Sequence, residues 1–468
     1  MAAPTTAKPA PDKLRRVVAA SLIGTTIEWY DYFLYGSAAA LVFGDVFFPE
    51  SDPLTGTLLS FLTYAVGFAA RPLGALVFGH YGDRVGRKKL LVISLLMMGC
   101  ATTLIGCVPG YATIGVAAPI LLTALRLVQG FALGGEWGGA VLLVSEHGDA
   151  RRRGFWASWP QGGAPAGNLI AVGVLSLTTT LLSDAAFESW GWRVPFLLSA
   201  VLVVVGLWIR ISVDESPVFQ AALASAERRR AAERAAGRGE QPPLVAVVRQ
   251  SWRDILVAMG ARMAENISYY VITTFVLVYC VDHLDLSQQT ALNAVLIGSA
   301  VQFCLIPLFG ALSDRVGRRP VYLLGAVGTG LWAWVFFTLL DTRSFPALLL
   351  AVTVGLVFHS AMYAPQAAFF SELFATRMRY SGASIGAQFA SVAAGAPAPL
   401  IATALLQSTG GSGAISLYVS AAAVLTVLAL LAARETRGRD LAEVGAEPGT
   451  DDPVDPAATV ATKARTTS

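Results

Sequence analysis

Gly79-His80-Tyr81-Gly82-Asp83-Arg84-Val85-Gly86-Arg87-Lys88 recurs as Gly310-Ala311-Leu312-Ser313-Asp314-Arg315-Val316-Gly317-Arg318-Arg319, displaced by 231 residues. A second pair keeps nearly the same spacing. Ser145-Glu146 with Arg151 and Arg153 recurs as Ser371-Glu372 with Arg377 and Arg379, displaced by 226 residues. Two loops repeated at similar offsets indicate that one unit has been duplicated along the chain.

The duplicated unit is a membrane unit. Of 468 residues, 55% are hydrophobic and 14% charged, and the mean hydropathy is +0.59. Soluble domains carry nearer a quarter charged residues. Apolar stretches of about 20 residues, the length that crosses a bilayer core, recur throughout. They lack the polar–apolar alternation of a barrel, so the spans are expected to be helices. Their expected positions are 17–43, 54–79, 90–108, 114–145, 154–182 and 192–212, then 254–282, 290–312, 321–340, 346–371, 380–407 and 413–433. No cleavable signal peptide is expected, because the first apolar stretch is interrupted by Glu28 and Asp31.

The expected fold is therefore an all-α membrane protein of twelve transmembrane helices in two pseudo-symmetric six-helix bundles. Expected divisions are an N-terminal tail (1–16), a first bundle (17–213), a linker (214–252), a second bundle (253–434) and a disordered tail (435–468). The linker carries Glu227-Arg228-Arg229-Arg230 and Pro242-Pro243, read as a solvated charged face. Lys and Arg concentrate in alternate loops, at Lys13, Arg15 and Arg16, then Arg84 to Lys89, then Arg151 to Arg153. The same phase continues through Arg315, Arg318 and Arg319, Arg377 and Arg379, and Arg434 to Arg439, with Arg343 the main exception. By the positive-inside rule both termini are expected in the cytoplasm. Cys100, Cys107, Cys280 and Cys304 have no metal or disulfide spacing and read as packing residues.

Ile27-Glu28-Trp29-Tyr30-Asp31-Tyr32-Phe33, Gly67-Phe68-Ala69-Ala70-Arg71-Pro72-Leu73-Gly74, Arg126-Leu127-Val128-Gln129-Gly130, Gly134-Gly135-Glu136-Trp137-Gly138-Gly139 and Trp190-Gly191-Trp192-Arg193-Val194-Pro195-Phe196 together carry a resemblance. With the paired loops, the chain resembles the metabolite:proton symporter family of the major facilitator superfamily, from about Val17 to Gly438. That resemblance implies the major facilitator fold and uptake, with protons, of a carboxylate such as shikimate, α-ketoglutarate or citrate, or of an osmolyte such as proline or betaine. Trp137 leans toward the shikimate-like branch. The short tail after Gly438 has no heptads, unlike the coiled-coil tail of osmosensing members. A bacterial inner membrane, a monomer, and partners limited to substrate, protons and lipid are implied, without nucleic acid. No cofactor or metal is expected, and an enzyme is not, since no nucleophile–base pair is evident.

Charges inside a span cost about 2.5–3.5 kcal/mol each, so those present mark candidate sites. Glu28, Asp31, Tyr32 and Tyr35 share a face of span one at helical spacing. Glu28, Asp31 and Glu136 are the proton-coupling candidates. Arg126, Gln129 and Trp137 form a stripe on span four, where Arg126 can grip a substrate carboxylate or hold Glu136 or Asp31. Glu265, Asn266 and Tyr269 on span seven, with Arg262, and Tyr363 and Gln366 on span ten, complete the substrate candidates with Tyr32 and Tyr35. Two readings stand for His359, a proton relay or a satisfied interior residue. Two also stand for Arg71, lining the cavity or reaching toward the basic side. Gly130, Gly134 and Gly138 repeat every four residues and read as a packing strip.

The repeated loops read as gates. Gly79, Asp83, Arg84, Gly86 and Arg87, and Asp314, Arg315, Gly317 and Arg318, are assigned there, with Glu146 pairing Arg153 and Glu372 pairing Arg379. Asp214-Glu215-Ser216-Pro217 and Glu435-Thr436-Arg437-Gly438 resemble end-of-half motifs. An exporter is the nearest alternative, since Gly163-Ala164-Pro165-Ala166-Gly167 resembles an antiporter motif; a metabolite sensor is a second. A nucleotide-driven pump is excluded by the lack of a phosphate-binding Gly-x-x-x-x-Gly-Lys-Ser/Thr loop.

Overall fold

The computed structural model describes residues 11–75, 77–78, 87–134, 150–212, 243–374, 386–395 and 397–439. Twelve major helices follow in order: α1 (Pro11–Leu41), α2 (Pro53–Ala75), α3 (Arg87–Cys107), α4 (Ala117–Leu133), α5 (Arg153–Leu181) and α6 (Arg193–Ser212), then α7 (Ser251–His283), α8 (Gln288–Val316), α9 (Arg318–Leu340), α10 (Phe345–Leu373), α11 (Gly386–Thr409) and α12 (Gly413–Ala432). Where they are described, their ends fall close to the spans read from the sequence; the expected ends of spans two and four, at 79 and 145, and the start of span eleven, at 380, lie outside the described residues. The helix bearing α7 starts earlier, at Pro243, inside the stretch read as linker, and kinks at Ser251. Eight of the twelve are long and apolar enough to cross a membrane unaided. No strand occurs among the described residues.

Helix ends are set locally. Asp52 accepts a hydrogen bond from the Thr55 N–H, and Pro53 opens α2. Ser287 does the same for α8 through Thr290. Gly317, at φ +118°, lets α8 turn directly into α9. The Glu435 carboxylate lies 2.9 Å from where a Cβ on Gly317 would stand, so a side chain there is excluded by space as well.

The two halves meet with swapped partners. α2 packs on α11, and α5 packs on α8. Position two of each half thus meets position five of the other, the arrangement expected of a duplicated six-helix unit. α1 also meets α7. Within the first half, α2 and α4 approach closely. A Cβ on Gly130 would overlap the Gly67 carbonyl, and one on Gly134 would overlap the Arg71 carbonyl. The packing reading of these glycines holds; Gly138 lies outside the described residues. Outward faces carry exposed Leu62, Leu104, Ile120, Val204, Leu331 and Leu428, an apolar surface suited to lipid.

At the end bearing the basic loops, the halves are joined by charge. Arg153 on α5 pairs with Glu372 on α10 at 2.8 Å, and Arg318 pairs with both Glu372 and Asp314. Asp314 also accepts from the Gly154 and Phe155 N–H groups at 2.8 Å each. An acid from the second half therefore caps the first turn of a first-half helix, where the helix dipole favours negative charge. Glu435 accepts from the Arg318 and Arg319 N–H groups, and Thr436 is fully buried. The first residues of the segment read as a disordered tail are thus docked, because this carboxylate satisfies the opening turn of α9.

Candidate functional site

The site is built where α1, α2, α4 and α7 meet. The rings of Tyr32, Tyr64, Phe68 and Tyr270 lie within 6.3 Å of one another, and Phe33 lies 5.2 Å from Tyr269. This aromatic cluster bridges the two halves. Two guanidinium groups are seated against it. Arg126 lies 4.0 Å over Tyr35 and 4.7 Å over Tyr64. Arg71 lies 4.0 Å over Phe68 and 4.5 Å over Tyr32. Ring faces attract such cations, more strongly where water is excluded. Arg71 is 4% exposed and Arg126 1%, so both are dry. Of the two readings of Arg71, the structure selects the inward one.

Arg126 reaches this position because Gly67 leaves room: a Cβ there would lie 3.2 Å from the Arg126 Nε. Its Nη1 donates to Gln129 Oε1 at 2.7 Å, and Gln129 Nε2 donates to Thr102 Oγ1 at 2.6 Å. Thr102 lies beside Asp31. Asp31 Oδ1 accepts from Ser199 at 2.6 Å, and Oδ2 is buried without a hydrogen bond. The direct Arg126–Asp31 ion pair expected as one option is not formed; Gln129 and Thr102 stand between them. Asp31 and Tyr32, though on one stretch of α1, face different neighbours, α6 and α2 respectively.

Glu28 is buried on the same helix. Tyr35 hydrogen-bonds Thr63 at 2.5 Å. Glu136 and Trp137 lie outside the described residues.

The candidates of the second half form a different kind of cluster. Glu265 Oε2 lies 3.4 Å from Arg262 Nε and accepts from Gln366 and Asn266 at 3.1 Å each. Gln366 also donates to Tyr322, which donates to the Ala261 carbonyl. His359 Nε2 faces Glu265 Oε1 at 3.5 Å, and its Nδ1 lies 2.7 Å from Gln302 Nε2. Tyr269 and Tyr363 flank the imidazole at 4.6 and 5.2 Å. Glu265, Asn266 and Gln366 are thus occupied with one another, and Gln302 and Tyr322 are members that periodicity did not single out. Both are polar residues at buried positions of apolar helices, which is the signal that marks them.

Among the gate residues, Asp314, Gly317, Arg318, Arg153 and Glu372 come together as described above. Glu372 spends its charge on Arg153 and Arg318, so Arg153 enters a pair between the halves. Gly79, Asp83, Arg84, Gly86, Glu146 and Arg379 lie outside the described residues, and Arg87 is described as backbone only. Arg315 offers its carbonyl to Arg437. The glycines of the antiporter-like stretch serve packing, since a Cβ on Gly167 would press on the Thr26 carbonyl and the Tyr30 N–H of α1.

A duplicated helical bundle with buried charge at the junction of its halves defines a multi-pass membrane transporter, not an enzyme. The chain belongs to the major facilitator superfamily: residues 17–447 match the sugar (and other) transporter family. It is 42% identical to the inner membrane metabolite transport protein YhjE of Escherichia coli K12 over 434 residues, covering 91% of this chain and 95% of that one. It is 38% identical to the shikimate transporter of the same organism, with the same coverage. Identity to the E. coli K12 proline/betaine transporter is 33%, over 94% of this chain and 87% of that one. In fold it resembles the D-xylose–proton symporter crystal structure, with a TM-score of 0.70, 18% identity, and 91% and 99% of the two chains covered.

Proposed function

We propose that the chain is a proton-coupled symporter that takes up a small organic anion by alternating access. The observation that carries this reading is the buried Arg126, hydrogen-bonded through Gln129 to Thr102, which lies beside the buried acid Asp31. A substrate carboxylate arriving at Arg126 competes with Gln129 for the guanidinium, and the displaced Gln129 loosens its hold on Thr102, the neighbour of Asp31. Oδ2 of Asp31, lacking a donor, is the atom that takes the proton. The relatives named as metabolite, shikimate and proline/betaine transporters, and the xylose–proton symporter fold, support the class of solute and the coupling. The Arg153–Glu372–Arg318–Asp314 cluster acts as the latch at the basic end, which by charge faces the cytoplasm of a bacterial inner membrane. The protein works as a monomer, with both termini on that side.

One proton moving with each substrate gains about 2.3 kcal/mol per 100 mV of membrane potential, enough for concentrative uptake. The test is uptake into proteoliposomes under an imposed pH gradient. Accumulation is expected to collapse with a protonophore; uptake indifferent to both gradient and protonophore defeats the symport reading, and proton-driven efflux identifies an exporter.

A further inference from the structure

α5 and α8 run antiparallel along the boundary between the halves, in a constant register from one end to the other. At the basic end, a Cβ on Gly154 would lie 2.6 Å from the Gly310 carbonyl oxygen. Further along, Asn168 Nδ2 donates to Ser299 Oγ at 2.9 Å, and both residues are buried. At the far end, opposite the basic loops, one side chain closes the seam. Gln289 lies in the first turn of α8. Its Oε1 accepts from the Thr179 and Thr180 hydroxyls at 2.8 and 2.9 Å. Its Nε2 donates to Ser176 Oγ at 2.6 Å and to Asn293 Oδ1 at 2.8 Å. A primary amide offers two acceptor sites and two hydrogens, and all four are met here. Three of the four partners, Ser176, Thr179 and Thr180, belong to the other half.

The two ends of the seam are therefore closed by different chemistry. Buried ion pairs hold the basic end. Among the described residues no ion pair joins the halves at the far end, where α11 also reaches α2 through Gln407 and Thr55, at 3.3 Å and exposed. Thr180 is exposed and Gln289 is partly so. Neutral hydrogen bonds at a wetted edge exchange with water at little net cost. The threonine hydroxyls also lie 3.0 and 2.8 Å from the Ser176 carbonyl, so each keeps a partner within α5 when the seam parts.

We propose that Gln289 is the outer latch: it holds α8 to α5 while the far end is shut, and its release opens that end. The inference rests on the alternating-access reading above. It adds the residue that closes the second end and the uncharged chemistry of that closure.

The experiment reads opening at each end and needs no solute. In a chain whose Cys100, Cys107, Cys280 and Cys304 are replaced, Ser299→Cys places one thiol in the seam, inward of Gln289. Its reaction with an impermeant thiol reagent is timed in right-side-out and inside-out membrane vesicles. Gln289→Leu keeps the bulk and removes the amide. Reaction from the outer side is expected to become about fivefold or more faster, with no acceleration from the basic side. Thr179→Val with Thr180→Val removes the partners while keeping their shape, and is expected to give about threefold or more from the outer side. Added to Gln289→Leu, the threonine changes should bring less than about twofold further, because both sever one contact. Melting temperatures report folding, and the threonine pair carries the test if Gln289→Leu does not fold. An outer rate that neither change moves, a rise equal from both sides, or full additivity of the two changes overturns the proposal. If the latch behaves as expected and no solute is accumulated under any gradient, the transport reading fails and this one stands. Proton-driven uptake with an outer rate unmoved by either change does the reverse.

Discussion

In the first half, two buried arginines rest on aromatic rings; in the second, Arg262 lies beside the carboxylate of Glu265. Arg71 and Arg126 sit in an aromatic cage, each with a guanidinium fork that has no hydrogen-bond partner among the described residues. Arg262, Glu265 and His359, at comparable burial, are tied into a network with Asn266, Gln302, Gln366 and Tyr322. A buried cation without a counter-charge is costly to the fold and useful to a ligand, whereas a closed pair does the opposite. On the function proposed above, the two halves divide the work: the first presents charge to the solute, and the second supplies a firm wall.

The largest contrast is expected from removing one arginine in each half. Arg126→Gln should reduce uptake about a hundredfold, the loss expected when a buried charge-assisted contact is truncated, while its melting temperature stays near that of the parent. Arg262→Gln should instead destabilise the protein, by about 3–5 kcal/mol, since it strands Glu265 in a dry site. Denaturation in detergent beside vesicle uptake measures both. Equal destabilisation by the two variants removes the distinction.

Proton coupling sharpens the same comparison. Asp31→Asn is expected to lower gradient-driven accumulation about tenfold, with substrate counterflow kept within about threefold of the parent, because counterflow needs no net proton movement. If Glu265→Gln uncouples transport in this way and Asp31→Asn does not, the proton step belongs to the second half.

A more moderate effect is expected at the latch. Glu372→Gln removes the charge shared by Arg153 and Arg318 and should shift the population toward opening at the basic end. A cysteine placed at the buried Ser313, in a chain lacking Cys100, Cys107, Cys280 and Cys304, should react about threefold or more faster with an impermeant thiol reagent added to that side. An unchanged rate means that packing alone, with Gly154 against Gly310, holds the ends together.

The smallest effect concerns Glu435. Burial opposes its charge, but the N–H groups of Arg437, Arg318, Arg319 and Thr436 outweigh that and hold the carboxyl below the usual glutamate range. A carboxyl depressed in the folded state stabilises it at pH values above the ordinary glutamate range. That contribution fades as the pH falls through the depressed value. The melting-temperature difference between the parent and Glu435→Gln should therefore be present at neutral pH and vanish in acid. A difference independent of pH assigns the contact to packing.

Much of this was legible in the chain itself. Apolar runs of bilayer length, interrupted by Asp–Gly–Arg loops, determine twelve helices and their duplication, because a backbone in lipid has few ways to satisfy its hydrogen bonds. Charges costly enough to be rare pointed to Asp31, Arg126 and Glu265. Periodicity within one helix says which residues share a face, and says nothing of what that face meets. Asp31 turning to Ser199 while Tyr32 turns to Tyr64, Arg71 folding inward onto Phe68, Glu372 reaching across to Arg153, and Glu435 capping a helix more than a hundred residues earlier in the chain were decided only when the helices packed. Each is a contact between segments distant in sequence, whose geometry depends on how whole helices cross, and no local pattern encodes that.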